Sequence, residues 1–538
     1  MGRTFSEAEL RTTAPIFLVD LELGGVVYRF ATESQDIETD SGSVFYDGTL
    51  SDVNFASSLQ FASPDFELPS AGVTVTFKID LAKRIAQGLD FGAARGTLAL
   101  WLPGTDLDDR QVIIDGRIDA PSYGAIGEPV SFNIEADFLR NTKLIPNALQ
   151  VLDSATWPNV AENSEGEIYP IIIGAPGRQG FAGSPIYVAQ DLGSGTDRVG
   201  IIAAHQCTAG TISIMEVKAD GTTPAVPDRT VAFGVDLNGA AYSYITIPNA
   251  NFNDDATYFA RWDTGGGGLV NPYANQQDAD AAADSAYLTG GGDVVRYLLH
   301  RSGAVVDDGR MAAASGYLNF IQFEGYIAER VDAMEFLQEE ILPLLPCSLR
   351  AGPDGLYVVP WRYDATETDA RTKLEAGRDM HRDGLVEYVS SEVYNEISLR
   401  YRHNVKRNKL TKAVTITGDT SKKPGGFLWR NTYTVNSEMR YGTKALELET
   451  EFISSRVSAG RVVNWMSRAY GARQRRIKYE APHRLAWLEV GDVVAVTDSD
   501  LSLTDQLLIL ESIEWGETAL ILSFLFVPDS PRDNIPTG

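Results

Sequence analysis

The chain has 538 residues, 44% of them hydrophobic, and carries 46 Lys and Arg against 73 Asp and Glu, a formal net charge of −27. At ~150 residues per domain the length holds roughly three or four domains, and the apolar fraction is that of a folded globular protein. A body this acidic does not wrap the phosphate backbone of nucleic acid, where binding is driven by releasing counterions onto basic side chains; like charge suits a conduit that nucleic acid slides through, and solubility at high concentration is the simpler cause.

Residues 15–137 read as β-rich. The run 16–23 is a strand, Gly24 and Gly25 make a turn, and 26–30 pairs back as a hairpin. Further strands are expected at 44–46, 73–79, 97–102, 111–115 and 130–136. Asp80 is the expected N-cap of a short helix that Gly88 stops. Strands at this spacing with one small helix indicate a sandwich or barrel.

Residues 144–165 have little periodicity and read as a linker. Ile171, Ile172 and Ile173 favour an extended backbone, because β-branching restricts χ1. Pro170 and the Gly174 to Gly177 turn fence them. An apolar run on both faces means burial on both sides, either as a staple between the N-terminal domain and the rest or as an ordinary core strand. Residues 181–248 form a second β segment, with strands at 185–188, 211–217, 230–233 and 241–247 and hairpin-type turns near Gly221 and Gly239. One more strand is expected at 258–262.

The texture changes near Asp278. Val294, Val295, Leu298 and Leu299 recur at helical spacing behind Asp293. A second helix is expected over 331–342, with Met334, Leu337, Ile341 and Leu345 on one stripe. Strands at 347–350 and 356–359 flank a turn at 353–355. The last third is again β: 393–401 alternates, 445–452 is a strand with an acidic outward face, 458–473 is helical, and strands close the fold at 491–496, 506–510 and 519–526. The expected class is therefore mainly β with minor α, an α+β chain of several β-barrel or sandwich domains with short helices. Its expected divisions are 1–143, a linker and central strand at 144–180, an inserted small β domain at 181–276, a helix-containing α+β domain at 277–392, a C-terminal β domain at 393–527 and a polar tail at 528–538.

Little in the chain points to bond chemistry. Cys207 and Cys347 make no disulfide framework and no metal cluster, and they read as thiols of a reducing compartment. The first ten residues contain no apolar signal segment, and no window approaches the ~20 apolar residues of a membrane span. Cys207 lies two residues after His205, so on a strand the two share a face; a catalytic cysteine needs such a base, yet no local signature accompanies them. His205, His300, His381, His403 and His483 show no metal-ligand spacing. Asp108-Asp109, Asp254-Asp255 and Asp307-Asp308 sit in turn-like contexts, where paired carboxylates are more often solvated than catalytic. No catalytic, cofactor or metal residue is assigned. The strongest electrostatic feature is a basic patch at Arg400, Arg402, Lys406, Arg407, Lys409 and Lys412, extended by Lys422 and Lys423. It is either a strand edge protected by its charges or an ionic interface with an acidic neighbour, including a second copy of the chain.

Several segments together resemble the central hub or tip protein of a long-tailed bacteriophage. They are Ile168-Tyr-Pro-Ile-Ile-Ile-Gly174, the helix from Asp293 to His300, the helix from Asp332 followed by Asp354-Gly355-Leu-Tyr-Val-Val-Pro360, Asn395-Glu-Ile-Ser-Leu-Arg-Tyr401, and Leu488-Glu-Val-Gly-Asp-Val-Val494. Residues 15–136 are similar to the first β-rich domain of hub proteins in related tails and gene-transfer particles. The resemblance covers most of the chain outside 181–276. It rests on the order of weak motifs, none specific alone. It implies a non-enzymatic structural protein of the virion, synthesised in the host cytoplasm, that closes the tail tube at its distal tip. It also implies a trimer that contacts the distal tail protein, the tape-measure protein and tip or fibre proteins, and DNA in transit through an acidic lumen, without stable membrane insertion. Some such hubs carry four cysteines for an iron–sulfur cluster; two cannot supply that set, so no cofactor is expected. The rival readings are a tail-associated enzyme acting on cell-wall carbohydrate and a receptor-binding adhesin with 181–276 as its module.

Overall fold

Alternating and β-branched runs become strands along most of the chain, and the computed structural model is mainly β with short helices, the expected α+β class. It describes residues 6–10, 13–39, 42–58, 70–89, 94–119, 121, 126–136, 143–177, 183–192, 195–208, 211–218, 222, 225–253, 256–262, 267–273, 287–352, 354–389, 393–404, 408–419, 427–429, 431–516 and 519–527. The expected barrels are replaced by open sheets: among the described residues no sheet closes on itself.

The largest sheet unites the two ends of the chain. Its order runs from Val26–Ala31 through Ile16–Leu23, Arg95–Trp101, Gln111–Ile118, Pro129–Ala136, Ser70–Thr76 and Leu50–Ser58 to Leu503–Trp515, Leu520–Phe526 and Arg475–Ala481. The junction is antiparallel, with Trp515 opposite Phe55 and Ser512 opposite Ser58. One core runs along it, drawing Phe17, Val19, Leu98 and Phe132 from the first 136 residues and Val494, Leu510, Leu522 and Phe524 from the last 60 or so. Phe17 meets Trp515 edge-on, centroids 5.8 Å apart. The sheet thus crosses between the segments 1–143 and 393–527. Asp80 caps the helix Leu81–Ala86 as its sequence indicates, accepting from the Lys83 N–H.

Residues 184–262 build an antiparallel seven-stranded sheet with its own core, including Ile186, Ile202, Ile214, Ile247 and Trp262. One of its strands, Arg198–Ala203, is not evident from sequence, because Gly200 interrupts the β-branched run. Close packing demands that glycine: a Cβ there would lie 2.6 Å from Ile186 Cγ2.

A third core gathers the helices Gly291–Ser302, Asp308–Leu318 and Arg456–Tyr470 against the hairpin Cys347–Gly352 and Gly355–Pro360, and against a four-stranded sheet. The order of that sheet is Phe427–Trp429, Lys409–Ile416, Glu396–Asn404, Ala445–Glu449. Two helices here escaped the sequence reading. Asp308–Leu318 is one: Asp307, read as half of a turn-like acidic pair, is its N-cap and accepts from the Arg310 N–H. Thr432–Tyr441 is the other, closed by a reciprocal cap at Asn431 and Thr434. The helix expected over 331–342 instead breaks into Ala333–Phe336, a π turn Leu337–Ile341 and a 3₁₀ turn Leu342–Leu344. Pro343 has no N–H to continue the α ladder.

Candidate functional site

The strand Ile171–Ile173 is a junction between two cores. Alternation sends Ile171 and Ile173 into the helical core and Ile172 into the core of the seven-stranded sheet. It pairs antiparallel with Gly325–Ile327. Gly174 follows at φ +67°, and a Cβ there would meet the Phe323 carbonyl oxygen at 2.3 Å, so only glycine fits the exit turn. The staple therefore joins these two cores, while the N-terminal segment is joined to the C-terminal strands.

His205 and Cys207 sit beside this junction and serve it structurally. The Ile172 N–H donates to His205 Nε2 at 2.9 Å, so the proton is on Nδ1, which lies 3.1 Å from the Gln206 carbonyl oxygen. Cys207 Sγ is 3.9 Å from that same Nδ1, a nitrogen already committed as a donor. Burial pushes His205 down to about 4 and Cys207 up to about 12. A neutral histidine with both nitrogens occupied cannot take the proton of a thiol held this high.

Of the acidic pairs, Asp307-Asp308 has structural partners. Asp308 accepts from Arg296 Nε at 2.7 Å and lies 2.9 Å from His300 Nε2, tying two helices together. These partners hold its carboxyl below the usual range, against the opposing effect of burial. Asp108 and Asp109 lie in the 3₁₀ turn Leu107–Asp109; Asp254 and Asp255 fall outside the described residues. Among the described residues no group of three or more His, Cys, Asp or Glu is placed to hold a metal ion, and no helix is long and apolar enough to cross a membrane.

The basic patch lies on the four-stranded sheet, where its members take different roles. Arg400 is exposed and ion-paired to Glu449, directly beside it on the neighbouring parallel strand. Glu449, on the acidic face expected over 445–452, is thus Arg400's partner within the same chain, and the strand itself ends there. Tyr401 pairs with Lys412 and Arg400 with Ala413, so alternation puts Arg400 and Lys412 on opposite faces of the hairpin. Lys409 and Lys412 are exposed. Lys406, Arg407, Lys422 and Lys423 fall outside the described residues.

Arg402 is the member with a defined job. Its backbone is left-handed at φ +62°, an uncommon state for a side chain of this kind. Its N–H donates to the Ile453 carbonyl at 2.9 Å, and Nε and Nη2 both donate to the Ser454 carbonyl, at 3.0 and 2.9 Å. The same segment is held from below by the Glu324 N–H on the Phe452 carbonyl at 2.8 Å and by Phe452 edge-on to Phe336. A cleft opens where these elements meet, lined by Pro176, Gly183, Glu324, Tyr326, His403, Glu451 and Ser454. His403 and Ser454 are 8% and 2% exposed, yet His403 Nδ1 and Ser454 Oγ find no hydrogen-bond partner. No sequence signal marked this cleft, because its walls come from four separated segments.

Residues 430–510 match a protein family described as "Putative phage tail protein". Over that segment the chain carries the pattern of a phage tail protein, the class its motifs resemble. No curated protein matches. Among solved structures, a tail protein from Neisseria meningitidis MC58 aligns at 10% identity and a TM-score of 0.38, over 95% of this chain and 98% of that one. The 43 kDa tail protein of prophage MuSo2 from Shewanella oneidensis aligns at 10% and 0.38, over 95% and 97%. A chain of a native gene transfer agent virion aligns at 13% and 0.41, over 71% and 88%.

Proposed function

We propose that this chain is a structural protein of a bacteriophage tail, and within the tail the hub at the distal tip. The observation that carries the reading is the family match over residues 430–510. The matched segment includes Arg475–Ala481 and Val493–Asp498, strands of the same sheet that the first 136 residues complete, which supports extending the reading beyond it. In this reading three copies surround an axis and meet through large β interfaces of the obligate kind. They close the tube and contact the distal tail protein, the end of the tape-measure protein and tip or fibre proteins. The net charge of −27 suits a lumen that DNA passes without sticking. The segment 181–276 faces outward, as insertions usually do. The protein resides in the virion after synthesis in the host cytoplasm.

The test is mass and place. Light scattering of the purified chain is expected to give three times the monomer mass of 58.6 kDa, and a gold-labelled tag to mark the distal end of the tail. A monomer missing from purified particles overturns the reading. Release of sugars from cell-wall preparations by the purified chain would favour the enzyme instead.

A further inference from the structure

We infer that the outward stripe of the helix Arg456–Tyr470 docks an acidic helix of another protein, one that presents carboxylates seven residues apart. Burial divides this helix into two faces. Val462, Val463, Trp465 and Met466 are buried in the helical core. Val457 and Arg461 are exposed, Asn464 and Arg468 half-buried, and their alternating steps of four and three residues keep them on one side. In a chain of net charge −27, these 15 residues hold three arginines and no Asp or Glu.

The second observation is that the two arginines of the stripe are spent on no carboxylate. Among the described residues neither Arg461 nor Arg468 has an ion pair. Arg110, Arg310, Arg362 and Arg476 are half-buried to the same class, and each holds an Asp or Glu. Arg461 Nη1 donates to the Phe320 carbonyl. The Arg468 guanidinium lies over the rings of Tyr363 and Tyr433, 5.8 and 5.5 Å from their centroids. Its Nε is buried, and the two terminal nitrogens reach the surface without an acceptor. Ring faces hold a cation without neutralising it and turn an anion away, so a carboxylate meets the end of the fork, where two parallel bonds form.

Spacing selects the partner. Arg461 and Arg468 are one heptad apart, about 10.5 Å along the axis. A second helix repeats that distance between its own residues seven apart, and the four-three stripe is the pattern of a coiled-coil seam, with Val457 as its apolar contact. A nucleic-acid strand is disfavoured, because the acidic body repels phosphate. The inference concerns this face alone and does not depend on the tail reading.

Fluorescence anisotropy of labelled Ala-rich helical peptides against the full chain tests it. One peptide carries two Glu seven residues apart, on one face; its isomer carries them five apart, on different faces. The first is expected to bind about tenfold tighter at low salt. Arg468→Gln is expected to remove that preference and Arg468→Lys, which keeps the charge but not the fork, to reduce it at least threefold. Lys412→Gln, at an exposed site off this helix, should leave it unchanged. Equal or undetectable binding of the two peptides overturns the inference, as does a preference that survives Arg461→Gln with Arg468→Gln in a chain of unchanged circular dichroism. Tighter binding of a single-stranded oligonucleotide, or self-association that Arg468→Gln abolishes, gives the stripe another occupant and also overturns it.

Discussion

His205 and His403 are both buried histidines in β surroundings, and they differ in one respect. Both ring nitrogens of His205 are engaged, one by the Ile172 N–H and one at the Gln206 carbonyl. His403 has a partner at Nε2 alone and keeps Nδ1 bare beside a cleft. The difference teaches that burial does not mark a functional histidine. A fully partnered ring is a structural bolt, whereas the His403 ring is held through Nε2 alone.

The sharpest way to break the comparison is to remove the bolt. His205→Leu leaves the Ile172 N–H without an acceptor between two cores. The expected loss is about 4 kcal/mol, roughly half from the orphaned donor and half from a mismatched shape, read by urea denaturation. A loss under about 1 kcal/mol would mean that the junction does not depend on this ring.

Acid should loosen the same bolt. The folded-state value for His205, about 4, lies below its ordinary 6.5, so the unfolded chain takes up the proton first. The stabilising contribution is complete above pH 6.5 and is lost as pH falls toward 4, by about 3 kcal/mol. Melting curves between pH 7 and 4 should fall less steeply for His205→Gln, which can accept from Ile172 but does not titrate.

The clamp beside His403 comes next. Arg402→Ala removes two charge-assisted bonds to one carbonyl while keeping a left-handed backbone. It should cost about 2 kcal/mol and speed amide hydrogen exchange across 450–454. The smallest effect belongs to Arg400. Its pair with Glu449 is more than half exposed on both sides, so Arg400→Ala should shift stability by under about 0.5 kcal/mol, with that shift vanishing in 0.5 M salt. A larger cost at Arg400 than at Arg402 would reverse the ranking of the basic patch.

Much of the fold is legible in the chain's own patterning. The strand runs at 16–23, 130–136 and 520–526, the Asp80 cap and the helix with Asp293 in its first turn all appear where local preference puts them. The missed elements had weak local signals: Gly200 breaks an apolar run, and the helix after Asp307 is built largely of small residues. The candidate patch was legible as charge but not as geometry, since Arg400 and Arg402, two residues apart, separate into a solvated pair and a backbone clamp.

What the residue order determined by itself was the β character, the acidic balance and the identity of the buried strand Ile171–Ile173, because alternation, charge and β-branching act within a few residues. Only the tertiary structure decided that Trp515 would pair beside Phe55, that Ile172 and its neighbours would face different cores, and that Glu324, His403 and Ser454 would share one cleft. Those outcomes depend on which distant surfaces bury each other's apolar area, a choice that no short window of sequence contains.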